Sequence, residues 1–292
     1  MRSPAVSRAL VLALSLSSSA LAACGKSEAP PSGAEPSATT DPAARAIPAT
    51  TPAAAPAAPH PAAVALAGAE PAPAATDPAA AHGHAAAHGH AAPGGMPHDF
   101  KGAEQWAKVF DDPARDAWQR PDDVVALLQV KPKMTIADVG AGTGYFVGRL
   151  SKKVGPAGFV IATDVEPDMI AYLDQRITRE GWPNVRAALV GAGDPGLGEA
   201  TVDRILIVDV WHHVGDRRAY AAKLATALRP GGMIAVVDFD KDAKDAKHGP
   251  PPEHRLAPGA VIEELKSAGL TAELAKEKLP EQYVVIARAA AR

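Results

Sequence analysis

Asp138 and three glycines at alternate positions behind it, Gly140, Gly142 and Gly144, follow directly on a short apolar run. Glycines so spaced let the backbone turn tightly and approach a ligand, and a helix starting near 143 would add its N-terminus. The segment 137–146 therefore predicts a loop that holds a nucleotide-like molecule. The dinucleotide fingerprint needs a small residue at its sixth position, which here is Tyr145, so a nicotinamide dinucleotide is not expected. A second reactive group is Asp209-Val210-Trp211-His212-His213, whose imidazoles could act as a general base. Adjacent residues leaving a strand point in different directions, so one histidine of the pair is expected to face the pocket. A third is HGPPPEHRLAP at 248–258, in which three consecutive prolines fix a stiff path carrying Glu253 and His254. A fourth is HGHAAAHGH at 82–90, where His82, His84, His88 and His90 could bind Cu(II), Ni(II) or Zn(II) weakly.

Short apolar runs alternate with amphipathic segments in the second half of the chain, as in a parallel sheet with helices on both faces. Candidate strands are 134–139, 159–164, 185–190, 204–210 and 233–239, with helices near 143–153, 167–180, 217–228 and 258–268. LTAELAKEK and QYVVIAR supply a terminal pair, and two short helices over 102–129 are placed to lie across the ligand edge. Trp118, Gln119 and Arg120 on that lid are candidate acceptor contacts. The expected fold is α/β, a Rossmann-like doubly wound, mostly parallel sheet of seven strands. Ligands of such sheets bind at the carboxyl ends of the strands, where strand order reverses, and the glycine loop follows the first strand.

Asp138-Val139-Gly140-Ala141-Gly142-Thr143-Gly144, with Asp164 at the end of the second strand, resembles the motif set of class I S-adenosylmethionine-dependent methyltransferases. The resemblance covers nearly all of residues 100–292 and implies S-adenosylmethionine as cofactor. It places the cofactor on Asp138, Gly140, Ala141, Gly142, Thr143, Gly144 and Tyr145, the ribose on Asp164, and adenine against Val165 and Met169. It also implies Asp194 near the adenine amino group and Asp209 beside the methyl-bearing end. His212, His213 and His254 are the candidate catalytic residues, acting on a small-molecule acceptor. The motifs do not specify the acceptor. The absence of cysteine from the domain argues against thiol-dependent arsenite chemistry.

The formal net charge of −3 gives no general attraction to nucleic acid, and none is expected as a partner. All thirteen aromatic residues lie at or after Phe100, so residues 24–97, rich in Ala and Pro, predict a disordered tether that cannot build a core. One domain is expected over 98–292. At the start, Arg2 and Arg8 precede an apolar stretch suited to a signal peptide over 1–23. Leu21-Ala22-Ala23-Cys24 resembles the lipobox of bacterial lipoproteins, which implies lipidation of Cys24 and a membrane-anchored place in the bacterial cell envelope. S-adenosylmethionine is made in the cytoplasm, so these expectations pull against one another. Two further readings follow: a ligand-binding lipoprotein that keeps the fold without turnover, or a metal-handling one acting through the histidine tether.

Overall fold

The computed structural model describes residues 100–291 apart from Lys244. The expected signal peptide, Cys24, the tether and the histidines at 82–90 lie outside these residues. Five short runs rich in apolar residues form the parallel part of one sheet: β1 (Thr135–Val139), β2 (Phe159–Asp164), β3 (Val185–Leu189), β4 (Val202–Val208) and β5 (Leu228–Phe239). With β6 (Thr271–Leu274) and β7 (Gln282–Arg288) they make seven strands in the order β3-β2-β1-β4-β5-β7-β6. β7 runs antiparallel to both its neighbours. The expected mostly parallel seven-stranded architecture is the observed one, and the antiparallel strand separates it from the dinucleotide-binding order 3-2-1-4-5-6.

The helices follow from the same alternation. In chain order they are α1 (Ala103–Phe110), α2 (Arg115–Gln119), α3 (Pro121–Leu127), α4 (Val147–Val154), α5 (Pro167–Glu180), α6 (Arg217–Ala227) and α7 (Pro258–Ser267). Side chains of a strand point alternately to opposite faces, so each strand feeds two cores. Ile205 and Ile207 of β4 join Leu224 of α6 and Val261 and Leu265 of α7. Leu206 and Val208 join Val124 and Val125 of α3, Leu150 of α4 and Leu173 of α5. β1 and β2 are buried along their whole length, as strands covered on both faces must be.

Four elements depart from the sequence reading, among them β5, expected over 233–239, which begins at Leu228. The stretch 102–129 holds three helices rather than two, because Arg120 adopts φ +48° ahead of Pro121 and ends α2. Only α1 and α2 form the lid, and α3 belongs to the core. The helix expected from 143 begins at Val147, since Gly144 has φ +90°. A β-carbon on Gly144 would also stand 2.6 Å from Leu173 Cδ1. Gly144→Ala is therefore expected to lower stability by roughly 1–3 kcal/mol, from left-handed strain and displaced packing, read as a lower thermal midpoint. β4 stops at Val208 because Asp209 turns to φ +59°.

Candidate active site

Strand order reverses between β1 and β4, and a cavity of about 800 Å³ opens there at the carboxyl ends of the strands. Its volume lies in the range of small-molecule and cofactor sites. The glycine loop forms one side. The N–H groups of Gly140 and Ala141 donate to the Thr163 carbonyl at 2.8 and 2.9 Å, which ties the loop to the end of β2. Gly140 has φ +72°, and a β-carbon there would stand 2.3 Å from Val210 Cγ2. The Gly142 N–H donates to Asp164 Oδ2 at 2.8 Å, while Asp164 Oδ1 accepts from the Glu166 N–H at 3.0 Å. The loop's N–H groups thus hold the Asp164 carboxylate and the sheet rather than pointing at a ligand. The Val165 N–H also supports the carboxylate, which keeps acceptor capacity for a ligand hydroxyl.

Asp138 ends a buried row behind the loop. It is 3% exposed, and its Oδ2 has no hydrogen-bond partner among the described residues. Burial, and then the neighbouring Asp164 carboxylate, push it up to about 7 against the pull of Arg115. Asp164 is also raised, chiefly by burial, with the N–H groups of Glu166 and Gly142 opposing. A proton held in the folded state but released by the unfolded chain makes stability fall as pH rises from about 4 to about 7, and leaves it flat above. Asp138→Asn should therefore be stabilising relative to the parent above pH 7, with the difference vanishing near pH 4, in thermal midpoints of the ligand-free protein. An orphaned buried carboxylate oxygen suits a ligand ammonium, so affinity for such a ligand should rise with pH up to about 7.

A polar ring clamps the lid over the cavity. Arg115 Nη2 donates to Gln119 Oε1 at 2.9 Å and to Asp209 Oδ2 at 3.3 Å. Gln119 Nε2 donates to Gln282 Oε1, and Gln282 Nε2 donates to Asp209 Oδ1, closing the circuit. The Arg115 guanidinium also lies over the Tyr145 ring, 4.2 Å from its centre. Tyr145 donates its hydroxyl to Asp116, which Arg149 also grips at 2.9 Å. Burial raises Asp209 to about 7, with Arg115 the main opposing influence. Next to this ring α1 and Phe100 ahead of it lay an aromatic wall: Phe100, Trp106 and Phe110 have successive ring centres 5.0 and 5.4 Å apart, and Phe100 meets His213 edge-on.

Asp138, Gly140, Ala141, Gly142, Thr143, Tyr145, Asp164, Val165, Met169 and Asp209 all line the cavity. Gly144 does not; it seats the loop against Leu173. Asp194 is exposed and outside the lining, because its own carboxylate accepts from the Gly196 N–H two residues on, and Ala192 takes its place on the wall. His212 and His213 both line the cavity, correcting the expectation that one would. His212 is buried, its Nδ1 2.7 Å from Asp238 Oδ1. His254 is exposed and outside the lining, as is Glu253, whereas His248, Pro250 and Pro251 of the same segment reach it. On the lid Trp118 lines the cavity, Gln119 is buried in the ring, and Arg120 faces Asp123 and the Lys278 carbonyl. Sequence reasoning missed the wall of α1, Arg115, His248 and Gln282. Only the wall carried a signal, aromatic residues at 106 and 110 on one helical face.

A glycine loop behind the first strand, an acidic residue ending the second and an antiparallel seventh strand give the domain the fold of a class I S-adenosylmethionine-dependent methyltransferase. Residues 136–232 match the family described as a methyltransferase domain. A solved S-adenosylmethionine-dependent methyltransferase from Aquifex aeolicus superimposes with a TM-score of 0.59 at 28% identity, over 64% of this chain and 98% of that one. An arsenite methyltransferase from Halobacterium salinarum is 26% identical over 40% of this chain and 30% of its own. A ubiquinone/menaquinone biosynthesis C-methyltransferase from Hydrogenovibrio crunogenus is 26% identical over 42% of this chain and 48% of its own. An uncharacterized methyltransferase from Mycobacterium bovis is 31% identical over 42% and 47%. The chain thus spans less than half the length of these curated relatives. The matches support the class I S-adenosylmethionine-dependent methyltransferase family, and the domain's cofactor is S-adenosylmethionine. The lining fits it: Asp164 would take ribose hydroxyls, Val165, Met169 and Ala192 would flank adenine, and the unpartnered Asp138 Oδ2 suits an ammonium.

Proposed function

We propose that the domain transfers a methyl group from S-adenosylmethionine to a small-molecule acceptor. When bound, that cofactor supplies an electrophilic methyl group on a sulfonium, which an acceptor atom displaces in line. The observation that carries the reading is one cavity with two unlike ends. Asp138, the glycine loop, Asp164 and Met169 make a polar cradle, and the aromatic residues of the lid make an apolar wall beside the histidines. The lid and its Arg115–Asp209 clamp align the two ligands and exclude water, the main contributions a protein can make to such a displacement. No cysteine occurs among residues 100–291, so the chain offers no thiolate for arsenite, the acceptor named for the halobacterial relative.

Calorimetric titration of the full-length protein with S-adenosylmethionine and S-adenosylhomocysteine tests the reading. Micromolar binding of both is expected. No heat at millimolar ligand, from protein shown to be folded, would reject it and favour a fold that has lost its cofactor.

The lipid anchor is proposed on sequence alone: Leu21-Ala22-Ala23-Cys24 and the apolar stretch before it. Cys24→Ser should abolish incorporation of labelled fatty acid and release the protein from membranes. Such a location would put the site outside the compartment that makes the cofactor, so cofactor occupancy of protein isolated from cells bears directly on whether turnover occurs there.

A further inference from the structure

His248 lines the cavity and pairs with Glu281 behind it, outside the set of histidines the sequence singled out. The His248 Nδ1 lies 3.0 Å from each oxygen of Glu281. Glu281 Oε2 also accepts from the backbone N–H groups of Lys247 and His248, at 3.2 and 3.0 Å. The imidazole stacks on Trp118, with ring centres 4.5 Å apart and planes at 13°. Below it Arg255, itself buried, donates to the carbonyls of Pro250, Asp240 and His248 at 2.8, 3.1 and 3.0 Å. Gly249 has φ +81°, and a β-carbon there would stand 2.5 Å from the Phe239 ring, so the loop is pressed flat against the end of β5.

The ring is fixed on three sides, yet the side chain is 44% exposed, so packing alone does not account for its restraint. His248 lines the cavity and Glu281 does not. With Nδ1–H donated to the carboxylate, the remaining nitrogen is Nε2, which carries the lone pair of the neutral imidazole. His212 differs. Its side chain is 4% exposed, and its partner Asp238, fully buried, also accepts from the His212 and Phe239 N–H groups. That pair knots the end of β4 to the end of β5 and offers little surface to an acceptor.

We propose that His248, positioned by Glu281, accepts the proton of an acidic hydroxyl on a flat conjugated acceptor, a phenol or an enol. The inference rests on the methyl-transfer reading above. In the step the acceptor's O–H bond breaks, its electron pair stays on oxygen, and an N–H bond forms at His248 Nε2. The imidazolium is held by Glu281, the charged group facing the ring, and loses its proton to solvent through the exposed side. Trp118, Phe239, Pro250 and Pro251 give this part of the cavity flat apolar faces. Arg115 and Arg255 donate to carbonyls, Gln119 and Asp209, so neither is placed to hold a carboxylate on the acceptor.

The probe is 4-nitrophenol, whose phenolate absorbs visible light while the phenol does not. It is titrated against full-length protein with and without S-adenosylhomocysteine, and the pH midpoint of ionisation of the bound probe is read. The bound probe is expected to ionise at least tenfold more readily than the free one. His248→Gln should abolish the displacement, and Glu281→Gln should reduce it without loss of probe binding. Equal midpoints for parent and His248→Gln would overturn the proposal, as would failure of millimolar 4-nitrophenol to bind protein that takes up S-adenosylhomocysteine. A His248-dependent midpoint in protein that does not bind S-adenosylhomocysteine would keep the proton acceptor and overturn the methyl-transfer reading instead.

Discussion

Asp164→Ala is expected to weaken S-adenosylhomocysteine binding by two to three orders of magnitude in calorimetric titration. The carboxylate stands at the end of β2 on the cavity lining, one oxygen held by the Gly142 N–H and the other by the Glu166 N–H. Two charge-assisted hydrogen bonds to ribose hydroxyls, at roughly 1.5–3 kcal/mol each, would be lost together. The alanine also frees the Gly142 N–H from Asp164, so the glycine loop relaxes and part of the loss is pre-organisation. Asp164→Asn separates the two effects, since the amide keeps one oxygen for an N–H or a hydroxyl; it should retain more affinity than alanine. Unchanged affinity in Asp164→Ala would remove the cofactor from this part of the cavity.

The second large effect is on stability. Arg115→Leu leaves the Asp209 carboxylate without its cation while Gln282 still holds it in place. The pair is mostly buried, with 12% and 22% of the side chains exposed, so solvent compensates only in part. A loss of about 2–4 kcal/mol is expected, near the lower part of the range for breaking a buried ion pair. The loss should be smaller at low pH, because Asp209 then carries a proton: its folded-state value of about 7 lies above that of the unfolded chain. Asp209→Asn in the same background should recover part of the loss, because asparagine tolerates the left-handed backbone at 209 and leaves no buried charge. Thermal midpoints of the two single variants and the double variant at pH 5 and pH 8 measure this directly.

The sheet was legible because each parallel strand is a short apolar run between amphipathic segments, a signal that needs no partner to be read. Asp138 to Gly144 and Asp164 were legible for a related reason: they act as local motifs at strand ends. The lid clamp was not, since Arg115 meets Asp209 across 94 positions and Gln282 meets Asp209 across 73. Nothing in the neighbourhood of either residue announces such a contact. The proline segment shows a subtler failure. Composition marked it as stiff and as carrying a histidine to the site, but which histidine depends on the three carbonyls that Arg255 gathers and on the positive φ of Gly249. Asp194 failed because an aspartate two residues before a glycine N–H can satisfy itself locally instead of reaching a ligand.

The hydrogen bond between Gln119 and Gln282 joins positions 163 residues apart, and Gln282 begins the strand inserted between β5 and β6. The lid helix, synthesised well before β7, therefore gains this part of its clamp only when β7 has threaded into the sheet, whereas its ties to Asp209, Tyr145 and Arg149 can form without it. Closing so long a loop is entropically costly and slow relative to local helix formation. Without β7 the glycine loop, Asp164 and the Arg115–Asp209 pair would remain, but the ring through Gln119 and Gln282 would stay open. Full closure of the polar ring is thus expected to appear late during biosynthesis, after the glycine loop and its strand are already in place.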